Sequence, residues 1–255
     1  MISNTDAYAV WRSHSQQMLD FAILVTTAAP QLAHALGEHD SGRPTFLATN
    51  PGFQPSATPY ATERRALPAH EDVMGATLLL STFSYFETYF FSAIDEVLAF
   101  HGGEDAIEAS MRSQLAPRTW DAESATALSR LRHKFSKNRA DRFRKFTREM
   151  RGKGLAWPSQ RFMLFGLKQA VAQQQRWRAH QIPDLSADLL VLPFTADERK
   201  RFHKIREDRN HIAHGKALKF DLKKAVQASK FLRDLAMKVD QHVVEHFLLV
   251  ERYAH

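Results

Sequence analysis

The chain has 255 residues, 35 Lys and Arg against 28 Asp and Glu, 44% hydrophobic residues and no cysteine. The missing thiols exclude a disulfide framework, a thiolate-ligated metal centre and a cysteine nucleophile, and 18 Phe with a charged fraction of 25% argue against wholesale disorder. Ten glycines, about half the usual ~7%, favour an all-α chain over turn-rich β, and the length suffices for one large domain or two small ones.

Residues 5–36 carry a helical pattern (Trp11, Leu19, Ile23, Leu32, Leu36), with Pro30 as the place for a bend. Residues 37–72 then hold five of the ten prolines (Pro44, Pro51, Pro55, Pro59, Pro68) with Gly37, Gly42 and Gly52. They read as a long irregular excursion, a candidate lid, arm or partner-binding segment. Val73–Phe100 is the expected central helix. Leu79, Phe83, Phe86, Phe90, Ile94 and Val97 step by three and four along it, and Tyr85, Tyr89 and Phe91 make its other faces apolar too. Its longest uncharged run, Val73–Phe86, is 14 residues, short of the ~20 that span a bilayer. Gly102-Gly103 ends the helix. A short helix, a break at Pro117 and a cap at Asp121 are expected next.

Residues 130–153 (RLRHKFSKNRADRFRKFTREMRGK) contain 11 Lys and Arg and two acids, a net +9. The other residues hold 24 basic against 26 acidic side chains, a net −2. The formal +7 is therefore one basic segment on a slightly acidic chain, which suggests a surface for a polyanion, nucleic acid first. Leu131, Phe135, Phe143, Phe146 and Met150 lie close to one helical face and would dock it. Arg139, Arg142, Arg144, Lys145 and Arg148 are the candidate phosphate contacts; a solvated helix face is the plain alternative. Trp157-Pro158 starts another helix reaching about Trp177, and Gln181–Phe194 reads as Pro-containing and non-periodic. No internal repeat and no glycine-rich phosphate loop occur. The organisation expected is an N-terminal helix (1–36), the irregular segment (37–72) and a helical bundle (73–255) sharing one domain with the first helix. The first twenty residues lack the layout of a secretory signal, so the chain reads as cytoplasmic with no membrane partner.

The chemistry gathers at residues 195–215. Thr195-Ala196-Asp197-Glu198 is a capping box, and Gly215 is placed as the C′ glycine of the helix it opens. A turn and a long amphipathic helix follow, with Leu222, Val226, Leu232, Leu235, Val239, Val243 and Phe247. At ~100° per residue, Phe202, Ile205, Ile212 and Ala213 share one face, and Arg209 falls in its middle. A guanidinium there requires a carboxylate, for which Glu87 is the candidate, or a wet cleft. Asn210 and His214 lie one turn apart on the bordering stripe, joined by Arg206. His203, Glu207 and His211 share a spacing that could face a metal, but a bundle site draws Glu-x-x-His pairs from several helices, so no metal and no cofactor is assigned.

Arg209-Asn210-His211-Ile212-Ala213-His214-Gly215, on the penultimate helix of an all-α chain, resembles the signature of the HEPN superfamily: Arg, a polar residue, a few positions, then His. Ser84-Tyr85-Phe86-Glu87 within the aromatic helix also looks like the helix many such domains place near the site. The resemblance covers roughly 73–250. It implies a homodimer that brings two Arg…His motifs together and, in many members, metal-independent cleavage of RNA in toxin–antitoxin or antiphage systems, with an antitoxin or other defence protein as a further partner. Carried onto this chain, Arg209 would stabilise the scissile phosphate, His214 would transfer the proton and Asn210 would orient either. Arg206 and His211 repeat the Arg…His spacing on the same helix and, with Glu87, are candidate auxiliaries. Two readings stand: an endoribonuclease, or a non-catalytic helical module of the same shape that binds RNA or a protein. A plain C-cap histidine with a salt-bridged arginine would produce the same motif.

Overall fold

The computed structural model describes residues 4–45, 60–100, 177–216 and 219–248, with positions 47, 58, 102, 103 and 106. Helix accounts for 84% of them, and no strand occurs among them. The chain is all-α over this part. The elements are α1 (Asp6–Asp40), α2 (Ala61–Ala66) with a 3-10 turn at Leu67–Ala69, and α3 (His70–Phe100). A 3-10 turn at Ala179–Gln181 then leads into α4 (Ile182–Leu189), followed by α5 (Ala196–Ala213) and α6 (Leu222–Val243), which runs into a π-helical turn at Val244–Leu248. The basic segment 130–153, with Arg139, Arg142, Arg144, Lys145 and Arg148, lies outside the described residues. So do the breaks and helices expected over 107–176. Chain contacts separate two units: Met1–Ala9, Glu87–His203 and Leu235–His255 form one, Val10–Phe86 and Lys204–Asp234 the other.

In the first unit, acids from α3 and α6 secure the start of α1. Asp240 accepts from the Thr5 amide (3.2 Å) and hydroxyl (2.6 Å), and that hydroxyl accepts from the Tyr8 amide (3.0 Å). The Glu96 carboxylate accepts from the amides of Asp6 and Ala7, both at 3.0 Å. Donors that a helix start leaves unbonded are thus met by an N-cap hydroxyl and by negative charge at the positive end of the dipole. The core of this unit includes Tyr89, Phe90, Ile94 and Val97 of α3, all buried, and Tyr89 donates its hydroxyl to the Ala236 carbonyl (3.0 Å). Residues 182–189 form a helix where a non-periodic stretch is expected. Ile182, Leu185, Leu189 and Leu190 are all buried and repeat at helical spacing, and Pro183 sits in the first turn, where its missing N–H costs nothing. At α5 the capping box forms: the Glu198 amide donates to the Thr195 hydroxyl (3.2 Å) and the Thr195 amide to the Glu198 carboxylate (2.8 Å). Lys238 of α6 pairs with the same carboxylate at 2.8 Å.

In the second unit, α1 continues to Asp40, four residues past the expected end, and passes through Pro30 without a break. Gly42, not Gly37, stops it. Gly42 has φ +71°, its amide donates to the His39 carbonyl (3.0 Å) and the Arg43 amide to the Glu38 carbonyl (3.0 Å), the pairing of a Schellman motif. The buried face of α1 is Trp11, Ser15, Ala22, Ala29 and Leu36. Ile23, expected on that face, is exposed. Of the stretch expected to be irregular, 37–40 and 61–72 are helical. Pro68 is accommodated at the opening of the 3-10 turn, and Arg64 of α2 grips the Asp40 carboxylate with both terminal nitrogens. The α3 stripe is buried as its periodicity predicts, with Leu79, Phe83 and Phe86 fully inaccessible. The connection into α6 lies on α3: the Phe220 amide donates to the Asp72 carbonyl (3.1 Å), and a Cβ added at Gly75 would stand 2.1 Å from the Phe220 carbonyl oxygen. On α6, Val226 is exposed, and Ala225, Ala228 and Phe231 take the buried face instead.

Candidate functional site

The C-terminal half of α5 is built by its stop signal. Gly215 adopts φ +69°, its amide donates to the Ile212 carbonyl (2.9 Å) and the Lys216 amide to the His211 carbonyl (2.9 Å). This closure makes His214 the C-cap residue, with its amide on the Asn210 carbonyl (3.0 Å). Ile205 and Ile212 hold this half of the helix down, and Arg209, half-buried, falls between Ile205 and Phe202 on the wheel.

Three neighbours contribute to holding the guanidinium. Its carbon stands 5.6 Å from the centroid of the Phe83 ring, Nη1 donates to Asn210 Oδ1 at 3.1 Å, and Nη2 reaches Ser84 Oγ at 3.5 Å. An aromatic face attracts the cation electrostatically, and the two neutral acceptors help to orient its planar fork. Arg209 and Asn210 are thus brought together. Ser84 lies on the stretch of α3 that the sequence marks, and Glu87 on the same stretch is half-buried. Glu87 belongs to the other unit.

His214 is exposed at the helix end, His211 is exposed one turn before it, and Arg206 is half-buried. Arg206 Nε is buried and has no hydrogen-bond partner among the described residues. From Arg209 to His214 the helix advances about 7.5 Å and turns by about 140°, so the imidazole leaves the helix in a different direction from the guanidinium. No three His, Asp or Glu side chains among the described residues are grouped as a metal site would need. The constellation offers a fixed cation and a solvent-accessible imidazole, which can stabilise an anion and transfer a proton.

Comparison of the chain with protein-family models, with curated proteins and with solved structures gives no match. The functional reading therefore rests on the residues themselves.

Proposed function

We propose that this chain is a metal-independent endoribonuclease of HEPN type, acting as a cytoplasmic homodimer in a toxin or antiphage role, with RNA as substrate and an antitoxin or other defence protein as its regulator. The observation that carries this reading is Arg209, a permanent cation set near the centre of a helix face and oriented by Phe83, Asn210 and Ser84. A side chain serving only to pack would not need such an arrangement, whereas a charge that must meet a phosphate needs to be held in place.

In the reaction, His214 takes the proton of a ribose 2′-OH, whose oxygen bonds to the adjacent phosphorus. The bond from phosphorus to the 5′ oxygen breaks, and a proton returns to that leaving oxygen. The products are a 2′,3′-cyclic phosphate and a 5′-OH. Arg209 stabilises the extra negative charge on the phosphoryl oxygens. The divergence of Arg209 and His214 along one helix fits a cleft shared by two copies, in which each supplies part of the constellation. The residues outside the described part, Arg139, Arg142, Arg144, Lys145 and Arg148, would hold the RNA backbone.

Expression in a bacterial host tests the reading. Wild type should arrest growth, whereas Arg209→Ala and His214→Ala at equal expression should not, each lowering cleavage by about 100-fold or more. Arg209→Lys should not restore it, because an ammonium cannot span Asn210 and Ser84 as the planar fork does. Equal behaviour of all four proteins would favour the non-catalytic module.

A further inference from the structure

The end of α6 holds two histidines that the candidate site does not use. His242 and His246 are four positions apart, and their ring centroids stand 4.4 Å from each other. In an α-helix a residue four places on overshoots its partner by about 40°. The wider π turn that begins at Val244 takes up this overshoot and brings His246 back over His242. Val243, Val244, Phe247 and Leu248 are buried, so the backbone that carries the pair is held down. His246 itself is exposed and His242 half-buried.

A bond on the far side of His242 sets what its ring can offer. Nε2 lies 2.6 Å from the Leu190 carbonyl oxygen. A carbonyl only accepts, so Nε2 carries the hydrogen, and the lone pair of the neutral ring is on Nδ1. Burial lowers the pKa of His242 and so favours that neutral ring; the Leu190 bond opposes this, the nearby His246 adds to it, and the Glu245 charge opposes it. A ring tied through one nitrogen to a backbone carbonyl, with a lone pair on the other, is the arrangement of a metal-bound histidine. Two imidazoles this close also repel when both are protonated, and a divalent cation that takes both lone pairs removes the conflict.

We propose that His242 and His246 chelate a divalent transition-metal ion of the class that imidazole suits, Zn²⁺, Ni²⁺ or Cu²⁺, with water completing its shell. No third His, Asp or Glu among the described residues is grouped with them, so this is an open two-nitrogen clip and not a closed structural or hydrolytic centre. An ion there bridges the last turn of α6 and the π turn. By drawing electrons from Nδ1 it also makes Nε2–H a stronger donor to Leu190, which tightens the junction of α6 with the end of α4. The clip lies in the unit that does not contain Arg209. It takes no part in the cleavage proposed above and stands whether or not that reading does.

Copper is the strongest probe of nitrogen ligands in this class, and the chain has no cysteine to compete for it. Untagged full-length protein, stripped with EDTA and dialysed, is titrated with Cu²⁺ alone and followed by calorimetry and electron paramagnetic resonance. Wild type should take one ion at its tightest site, with coupling to two imidazole nitrogens. His246→Ala changes an exposed side chain and should fold as wild type, yet bind at least about 10-fold more weakly and lose the two-nitrogen signature. His34→Ala, exposed on α1, should bind as wild type does. Zn²⁺ should raise the unfolding temperature of wild type and of His34→Ala, and leave that of His246→Ala unchanged. A wild type without a two-nitrogen site would overturn the proposal. So would equal binding by wild type and His246→Ala, which would place the tight site on other histidines, or an equal loss in His34→Ala.

Discussion

Arg209 and Asp240 show two ways for a charge to be kept out of full solvent. Arg209 is oriented by Asn210 and Ser84 beneath the Phe83 ring. Asp240 is buried and receives both polar hydrogens of Thr5. Burial pushes the Asp240 carboxyl above its ordinary value, the Thr5 bonds pull it down, and the Glu96 charge adds to the rise. A carboxyl raised in the folded state binds its proton more tightly there than in the unfolded chain. Stability from this group is therefore full below the ordinary carboxylate value and falls as pH rises through the raised one. Asp240→Asn keeps the acceptor for Thr5 and removes the charge, so its urea midpoint should equal or exceed that of wild type at pH 7, the difference vanishing near pH 3. A marked loss at pH 7 would mean that the charge is needed at the start of α1. At this scale the site was legible where its cause is local. Arg209 stood out as a cation on an apolar face, and Thr195, Glu198 and Gly215 announced the ends of their helix. Ser84 could not be read from the sequence as a neighbour of Arg209, because the contact joins positions 125 residues apart.

The elements depend on a few positions where backbone meets backbone. Gly75 allows α3 to approach the α5–α6 connection, since a Cβ there would meet the Phe220 carbonyl at 2.1 Å and the Leu222 amide at 2.9 Å, neither of them a side chain that can turn away. Gly75→Ala should cost roughly 2–3 kcal/mol in chemical unfolding. Gly37→Ala, whose Cβ would meet nothing within 4 Å, should be neutral or gain about 0.5–1 kcal/mol in helix propensity. Equal effects at the two positions would remove the close-approach argument. Helix type and the α3 stripe were legible because a face buried along the length of a helix demands an apolar residue at every third or fourth position. The ends of α1 were not, since Gly37 and Gly42 look alike in sequence and only the bonds that the Gly42 and Arg43 amides donate to the preceding turn identify the stop. Pro183 misled in the same way. A proline in the first turn supports a helix, and Ile182, Leu185 and Leu189 already carried the period.

Over the whole molecule, the +7 charge is distributed as +9 on residues 130–153 and −2 elsewhere. Reversing charge at Arg142, Arg144 and Lys145 should weaken RNA binding and reduce the slope of log affinity against log salt by about 2–3, without changing the dimer mass. An unchanged slope would return the segment to a solvated face. Cleavage itself is tested most directly by the ends it leaves. Purified wild type incubated with RNA in EDTA should produce 2′,3′-cyclic phosphate and 5′-OH termini, and Arg209→Ala and His214→Ala, folded as wild type, should not. Intact RNA with wild type, strict dependence on Mg²⁺, or equal cleavage by the variants would contradict the assignment of Arg209 and His214.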